Sequence, residues 1–187
     1  MERVAGVKTM EKLMFQSQAG QDRFVLQSLD YKHNGFYLEI GAYHSKEISN
    51  TYILENQYNW SGVSFDIVPE YVDEFNSNRK NKCYLADATK FDYKTFLNKI
   101  NAPKQIDYLQ IDIEPAENSL QALMALPLED YRFSVITFEH DLYSNPKNLE
   151  IKNKQKEILF NLGYTLEKEN VVCNHISLPF EDWWLDK

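Results

Sequence analysis

Acids close a series of apolar runs along this chain. Glu39 stands at the end of the first run, Asp66 at the second and Asp87 at the third. Asp112 and Glu114 follow the fourth, and Glu139-His140-Asp141 follows the fifth. Carboxylates gathered at one edge repel one another unless a cation or a hydroxyl-bearing ligand lies between them. Gly41, two residues after Glu39, permits a sharp turn and a close approach of a ligand to the backbone. An acid at Glu39 is where a phosphate-binding loop would want none, which favours a cationic or hydroxyl-bearing ligand over a pyrophosphate. Asp66 lies 25 residues beyond Gly41, where a nucleoside's ribose hydroxyls are held in such sheets. Asp87, with Ala88, would meet a base's exocyclic amine as acceptor. His140, with an ordinary pKa near neutrality, is a candidate proton acceptor, with Asp112 or Glu114 orienting it or acting directly. His44 is a second candidate. Asp112, Glu139 and Asp141 could alternatively offer hard oxygens to a divalent cation. Each has a plainer reading beside the functional one: Asp66 as a helix cap before Pro69, Asp87 as a turn residue, His140 as a structural histidine.

The elements that must position these residues follow from the pattern. Phe36–Ile40 suits a buried strand, and Ser45 would cap a helix over 46–58. Strands are expected over 63–67, 83–86, 106–113 and 133–138. Helices are expected near 17–29, over 69–79 with Pro69 in its first turn, and over 93–100, 117–126 and 152–162. Residues 164–169 and 171–178 would form a closing hairpin. The tail, Phe180 to Leu185, is too aromatic to be a free end and should dock on the body. Strands alternating with helices imply an α/β fold: one domain with a mostly parallel sheet of seven strands, helices on both faces and a C-terminal antiparallel hairpin. Residues 1–16 would be an arm or accessory helix, and 17–187 the domain.

The chain has 187 residues, enough for one sizeable core. With 28 acids against 20 bases, its net charge of −8 argues against a nucleic-acid backbone as partner. The basic clusters at Arg79-Lys80 and Lys147 to Lys156 read as solvated helix faces. Cys83 and Cys173 sit in strand-like runs and read as buried reduced thiols of a reducing compartment. No signal peptide is visible, and no apolar run nears the ~20 residues of a membrane span. The expectation is a soluble cytoplasmic protein.

The stretches Ser17-Gln18-Ala19-Gly20-Gln21-Asp22, Gly35 to Ser45, Ser49-Asn50-Thr51 with Leu54-Glu55, Trp60-Ser61-Gly62, Asn78-Arg79 and Asp112-Ile113-Glu114 with Glu117 occur in one order. In that order the chain resembles the FkbM family of class I S-adenosylmethionine-dependent methyltransferases. The resemblance implies a Rossmann-like domain and S-adenosyl-L-methionine as cofactor. Glu39, Gly41 and the adjoining Ala42 would hold its amino-acid part, Asp66 its ribose and Ile67 one face of its adenine. Asp87 and Ala88 would meet the adenine edge, and Gln110 and Asp112 would lie under the sulfonium. The positive sulfonium and ammonium account for acids lining the crevice. Asp112, Glu114 and His140 would carry catalysis. The acceptor implied is an oxygen of a sugar or similar polyhydroxylated small molecule or glycan. Two other readings stand beside it: a nucleotide-sugar or dinucleotide enzyme on a similar sheet, and a non-catalytic nucleoside-binding module. The chain has no Gly-x-Gly-x-x-Gly loop, which counts against the first.

Overall fold

The computed structural model describes residues 15–173 and 178–187. Residues 1–14 of the expected N-terminal arm, and 174–177 of the expected hairpin, lie outside them. Seven strands form one sheet: β1 (Phe36–Ile40), β2 (Ser61–Asp66), β3 (Lys82–Leu85), β4 (Gln105–Ile111), β5 (Arg132–Glu139), β6 (Thr165–Val171) and β7 (Glu181–Leu185). Among the described residues, six α-helices join them: α1 (Gln21–Ser28), α2 (Tyr52–Tyr58), α3 (Pro69–Asn78), α4 (Tyr93–Lys99), α5 (Ala116–Ala125) and α6 (Leu149–Asn161), the last preceded by a 3-10 turn at Pro146–Asn148. The strand order is β3-β2-β1-β4-β5-β7-β6. β7 runs opposite to the other six strands, antiparallel to both β5 and β6 between which it lies. The single α/β domain with a mostly parallel sheet of seven strands is therefore as expected.

Alternation along the strands sorts the core into two layers. Leu38, Ile40, Leu109, Ile136, Phe138 and Trp184 pack with Leu97 of α4, Leu123 of α5 and Leu159 of α6. Tyr37, Tyr108, Val135 and Trp183 face the other way, against Phe24 and Val25 of α1 and Ile53 and Leu54 of α2. Val72 and Phe75 of α3 close over Ala42 and Cys83. Both cysteines are free and buried. Helices thus cover both faces, and the parallel strands all deliver their carboxyl ends to one edge.

Two elements differ most from the expectation, and the other boundaries shift by a few residues. β6 runs on to Val171, and its antiparallel partner is the aromatic tail itself, Glu181–Leu185. The tail docks by becoming an inner strand, with Trp183 and Trp184 on opposite faces. Its two leading acids are buried, so the stretch does not read as a strand by polarity. The helix expected over 46–58 begins only at Tyr52. Ser45 caps nothing there: its amide and hydroxyl donate to Glu74 of α3, at 2.8 and 2.5 Å. Ser49 accepts from the amides of Thr51 and Tyr52 instead, at 3.3 and 3.2 Å. Among the described residues, no helix is long and apolar enough to cross a membrane.

Candidate active site

The sheet's order reverses between β1 and β4, and the chain leaves these two strands in opposite directions. A crevice opens above such a split. Three strand ends are laced together there. The Gly41 and Ala42 amides both donate to the Phe65 carbonyl, at 2.9 and 3.1 Å, and the Asp112 amide donates to the Ile40 carbonyl at 2.9 Å. Gly41 takes φ +89°, and an added Cβ would overlap the Asp112 carbonyl oxygen. Only glycine satisfies both conditions.

The crevice is a cavity of about 520 Å³. Every residue expected to hold a cofactor lines it. Glu39, Gly41, Ala42 and Gln110 come from β1, its following turn and β4. Asp66 and Ile67 come from the end of β2, and Asp87 and Ala88 follow β3. Asp112 and Glu114 line it from beyond β4. His140 does not.

Glu39 lies at the floor, 1% exposed. The Thr51 hydroxyl donates to one of its oxygens at 2.9 Å and the Ser64 hydroxyl to the other at 2.6 Å. Burial pushes its carboxyl up to about 7, against the opposing charge of Arg79 and these two hydroxyls. Gln110 is its neighbour across the β1–β4 register, and its side-chain oxygen accepts from the Ile40 amide at 3.1 Å.

Asp66 organises the rim. It accepts from the Tyr43 amide at 3.0 Å and the Val68 amide at 2.9 Å. The second bond is a short turn leading into α3, so the capping role and the cavity role coexist. Ile67 beside it is 61% exposed and presents an apolar face to the cavity. Asp87 holds its own turn, accepting from the Thr89 amide at 3.0 Å and hydroxyl at 2.6 Å, and pairs with Lys90 at 2.9 Å. The Thr89 hydroxyl, then Lys90, hold its carboxyl down to about 2. The turn reading of Asp87 is realised alongside its place in the cavity wall.

Asp112 and Glu139 continue the β4–β5 register by one step beyond Ile111 and Phe138, which sets their carboxyls side by side. Burial pushes Asp112 up to about 6, with the charges of Asp141 and Glu114 adding to it and the neighbouring Glu139 opposing. Burial, with the charge of Asp112, holds Glu139 well above the usual carboxylate range.

His140 is fully buried on the far side of the sheet end, 3.6 Å from Asp182 of β7. Its Nδ1 accepts from the Leu142 amide at 3.2 Å, and its Nε2 has no hydrogen-bond partner. Alternation along the strand explains this: Glu139 turns toward Asp112, so His140, the next residue, turns to the opposite face beside Asp182. The expected grouping of His140 with Asp112 and Glu114 is not formed. His44 stacks near Tyr43 and Tyr71, with ring centroids 4.0 and 5.3 Å away, outside the cavity lining. Among the described residues, no three His, Cys, Asp or Glu side chains are arranged to hold a metal ion. The cation option at Asp112, Glu139 and Asp141 finds no ready ligand set.

Other lining residues were not anticipated as site residues. Gln18 and Gln21 reach the cavity because Ser17 bridges to Ile48, drawing the segment before α1 over the crevice. Ser49 and Asn50 line it from the loop before α2, Tyr43 and Tyr71 from the rim and Asn118 from α5. Only their membership of the ordered stretches Ser17–Asp22 and Ser49–Thr51 pointed to the first four in sequence. The set fits S-adenosylmethionine: carboxylates for an ammonium and for ribose hydroxyls, an exposed Ile67 for a flat base, and a glycine turn with no room for a side chain.

No protein-family model and no curated protein sequence matches the chain. Solved structures do match. An O-methyltransferase from Bacillus cereus, in complex with S-adenosylhomocysteine, superposes with a TM-score of 0.61 at 16% identity, covering 89% of this chain and 80% of that one. A protein assigned as an rRNA methylase from Clostridium thermocellum gives 0.59 at 14% identity, covering 92% and 99%. Fibrillarin from Aeropyrum pernix, with natively bound S-adenosylmethionine, gives 0.52 at 12% identity, covering 82% and 67%. The strand order, the antiparallel seventh strand and the crevice at the β1–β4 split are together the Rossmann-like fold of S-adenosylmethionine-dependent methyltransferases.

Proposed function

We propose that the protein is an S-adenosylmethionine-dependent methyltransferase acting on a hydroxyl of a sugar or similar polyhydroxylated small molecule or glycan. The observation that carries this reading is the acid-lined cavity at the β1–β4 split. Glu39 would hold the ammonium, Asp66 the ribose and Ile67 the adenine, with Gln110 and Asp112 beneath the sulfonium. When bound, the cofactor supplies an electrophilic methyl group for direct displacement. The protein's part is to align the acceptor oxygen, exclude water and take the proton. Asp112 suits that last task better than His140. It lines the cavity, and with a pKa near 6 it is a carboxylate at neutral pH. Glu139 stands beside it at the end of β5.

The resemblance to the FkbM family supports an oxygen acceptor. The net charge of −8 supports a small molecule or glycan over a nucleic acid. Reduced cysteines are consistent with a cytoplasmic setting. Isothermal titration with S-adenosylhomocysteine tests the cofactor, and transfer of a labelled methyl group to a panel of sugars and nucleotide-sugars tests the acceptor. Binding with transfer is the expected result. Absence of binding overturns the reading, and binding without transfer to any hydroxyl favours a nucleoside-binding module.

A further inference from the structure

Arg79, just after α3, is fully buried, its side chain 0% exposed. Its Nε donates to Glu55 of α2 at 2.9 Å. Nη1 donates to the Ser45 carbonyl at 2.8 Å, and at 3.4 Å approaches the Ser49 hydroxyl. Nη2 donates to the Thr51 hydroxyl at 3.1 Å and to the Tyr37 hydroxyl at 3.3 Å. A hydroxyl has one proton to give. Thr51 accepts from Arg79 and gives its proton to Glu39, at 2.9 Å. A buried guanidinium is thereby joined to the cavity carboxylate through a single hydroxyl. The same guanidinium pins residues 45–51, and Ile48, Ser49 and Asn50 of that loop wall the cavity.

We propose that Arg79 is a positioning residue for the cavity: through Thr51 it keeps the Glu39 carboxylate charged and oriented toward a cationic ligand, and through Ser45 and Ser49 it fixes the loop above. This deepens the proposed function and rests on it only in taking the ligand to be the cofactor's ammonium group. A carboxylate as buried as Glu39 favours its neutral form, and a neutral acid would give the ammonium little. The charged and titratable groups around it are Tyr37 on its own strand, Glu55 of α2, Cys83 of β3 and Tyr108 of β4. Asp66 and Asp112 share its cavity. All of these are acids, phenols or a thiol, and Arg79 is the cation set among them. Glu55 holds Arg79 in place and balances part of its charge, so the Thr51 contact is what directs the remainder at Glu39.

The test reads Glu39 directly. Protein carrying carboxyl-labelled glutamate is titrated by carbon NMR, with the Glu39 signal assigned by its loss in Glu39→Gln. Thr51→Val should move its midpoint upward, Thr51→Ser should restore it, and Arg79→Lys should move it part of the way. S-adenosylhomocysteine, which has an ammonium but no sulfonium, is then titrated from pH 6 to pH 9. If the midpoint rises by about one unit from near 7, the ionised fraction at pH 7 falls from about one half to about one tenth. Affinity of Thr51→Val should drop ~5-fold at pH 7 and match wild type at pH 9. A Glu39 midpoint in Arg79→Lys equal to that of wild type, or one that is the same in Thr51→Val and Thr51→Ser, overturns the proposal, whatever the ligand does. Failure of the wild type to bind S-adenosylhomocysteine at any pH removes the cofactor reading, and the NMR midpoint still decides the role of Arg79.

Discussion

The position of a Cβ on Gly41 is already taken by the backbone carbonyl oxygen of Asp112. β1 and β4 are adjacent, and their ends close so tightly that the turn after β1 has no room for a side chain. Gly41→Ala meets that overlap and a left-handed φ as well, which costs an L-residue about 1–2 kcal/mol before any clash. The variant should melt well below wild type and lose S-adenosylhomocysteine binding. Calorimetry on both properties checks it, and a wild-type affinity would mean that the turn does not shape the cavity.

Asp66 accepts two backbone amides, one from the glycine turn and one from the entry to α3. Asp66→Asn keeps one acceptor oxygen and should hold the turn with weakened ribose contact. Asp66→Ala should lose both, lowering affinity by roughly 1.5–3 kcal/mol for charge-assisted bonds. Titration of S-adenosylhomocysteine and of adenosine into each variant is the measurement. An Asp66→Ala protein binding as tightly as wild type would place the nucleoside elsewhere.

Much of this was legible because strands and strand ends carry strong signals. Phe36–Ile40 matches the expected strand, and each acid-terminated run is a strand whose end meets the cavity or its flank. What the sequence did not disclose is which side chains turn inward after β5. Glu139 reaches Asp112, whereas His140 turns to the opposite face beside Asp182 of β7, a strand whose own identity is masked by Glu181 and Asp182. Asp182 is tolerated in the interior because Gln155 and the Asn170 amide donate to it, both at 2.9 Å. Those partners lie 27 and 12 residues away, beyond the reach of any local pattern. Arg79 is the same kind of case. In sequence it reads as half of a solvated basic pair, and only the fold brings Glu55, Thr51 and Ser45 around it.

His140 should therefore matter to stability and not to cofactor binding. Truncating it leaves Asp182 without its neighbour and opens space in a packed region. His140→Ala is expected to cost about 1–3 kcal/mol of stability, with S-adenosylhomocysteine affinity within twofold of wild type. Chemical denaturation paired with titration separates the two. A large loss of affinity at unchanged stability would bring the imidazole back to the site.

Stability should fall as pH rises through the range in which the cavity acids ionise. Glu39 titrates at about 7 in the fold against 4.5 for the ordinary side chain, because burial disfavours its charge. The folded chain therefore binds the extra proton between those values, and stability decreases with pH across that window. At about 1.4 kcal/mol per unit of pKa difference, the loss from Glu39 alone is on the order of 3 kcal/mol. Asp112, pushed to about 6 from 3.8, acts in the same direction. Asp87 and Glu169, both held near 2, act oppositely and only on the acid side of their ordinary values. The melting temperature should be higher near pH 5.5 than near pH 8, and Glu39→Gln should flatten that slope. A slope unchanged by Glu39→Gln would mean that Glu39 does not titrate there.

The tail decides whether the sheet forms at all. β7 bonds to β5 on one side and β6 on the other, so its loss would strip an inner strand and leave β6 with no partner. Trp184 is fully buried, edge-on to Phe160 at 4.9 Å, and Trp183 stacks on Phe24 of α1 at 4.5 Å. The pair thus anchors both layers of the core from adjacent positions. Removing a buried tryptophan side chain costs about 3–5 kcal/mol, against a total of about 5–15 kcal/mol for a domain. Trp184→Ala should sit close to the unfolding threshold at 37 °C, and Trp184→Phe should recover most of the deficit. A chain ending at Pro179 should fail to fold, giving aggregates by size-exclusion chromatography and no cooperative melt by circular dichroism. The physical reason is specific: without β7, the outward edge of β5 and both edges of β6 present unpaired backbone groups next to exposed apolar surface. A monomeric truncated chain with a wild-type melt would show that the five parallel strands close their core alone, and that the tail serves binding instead.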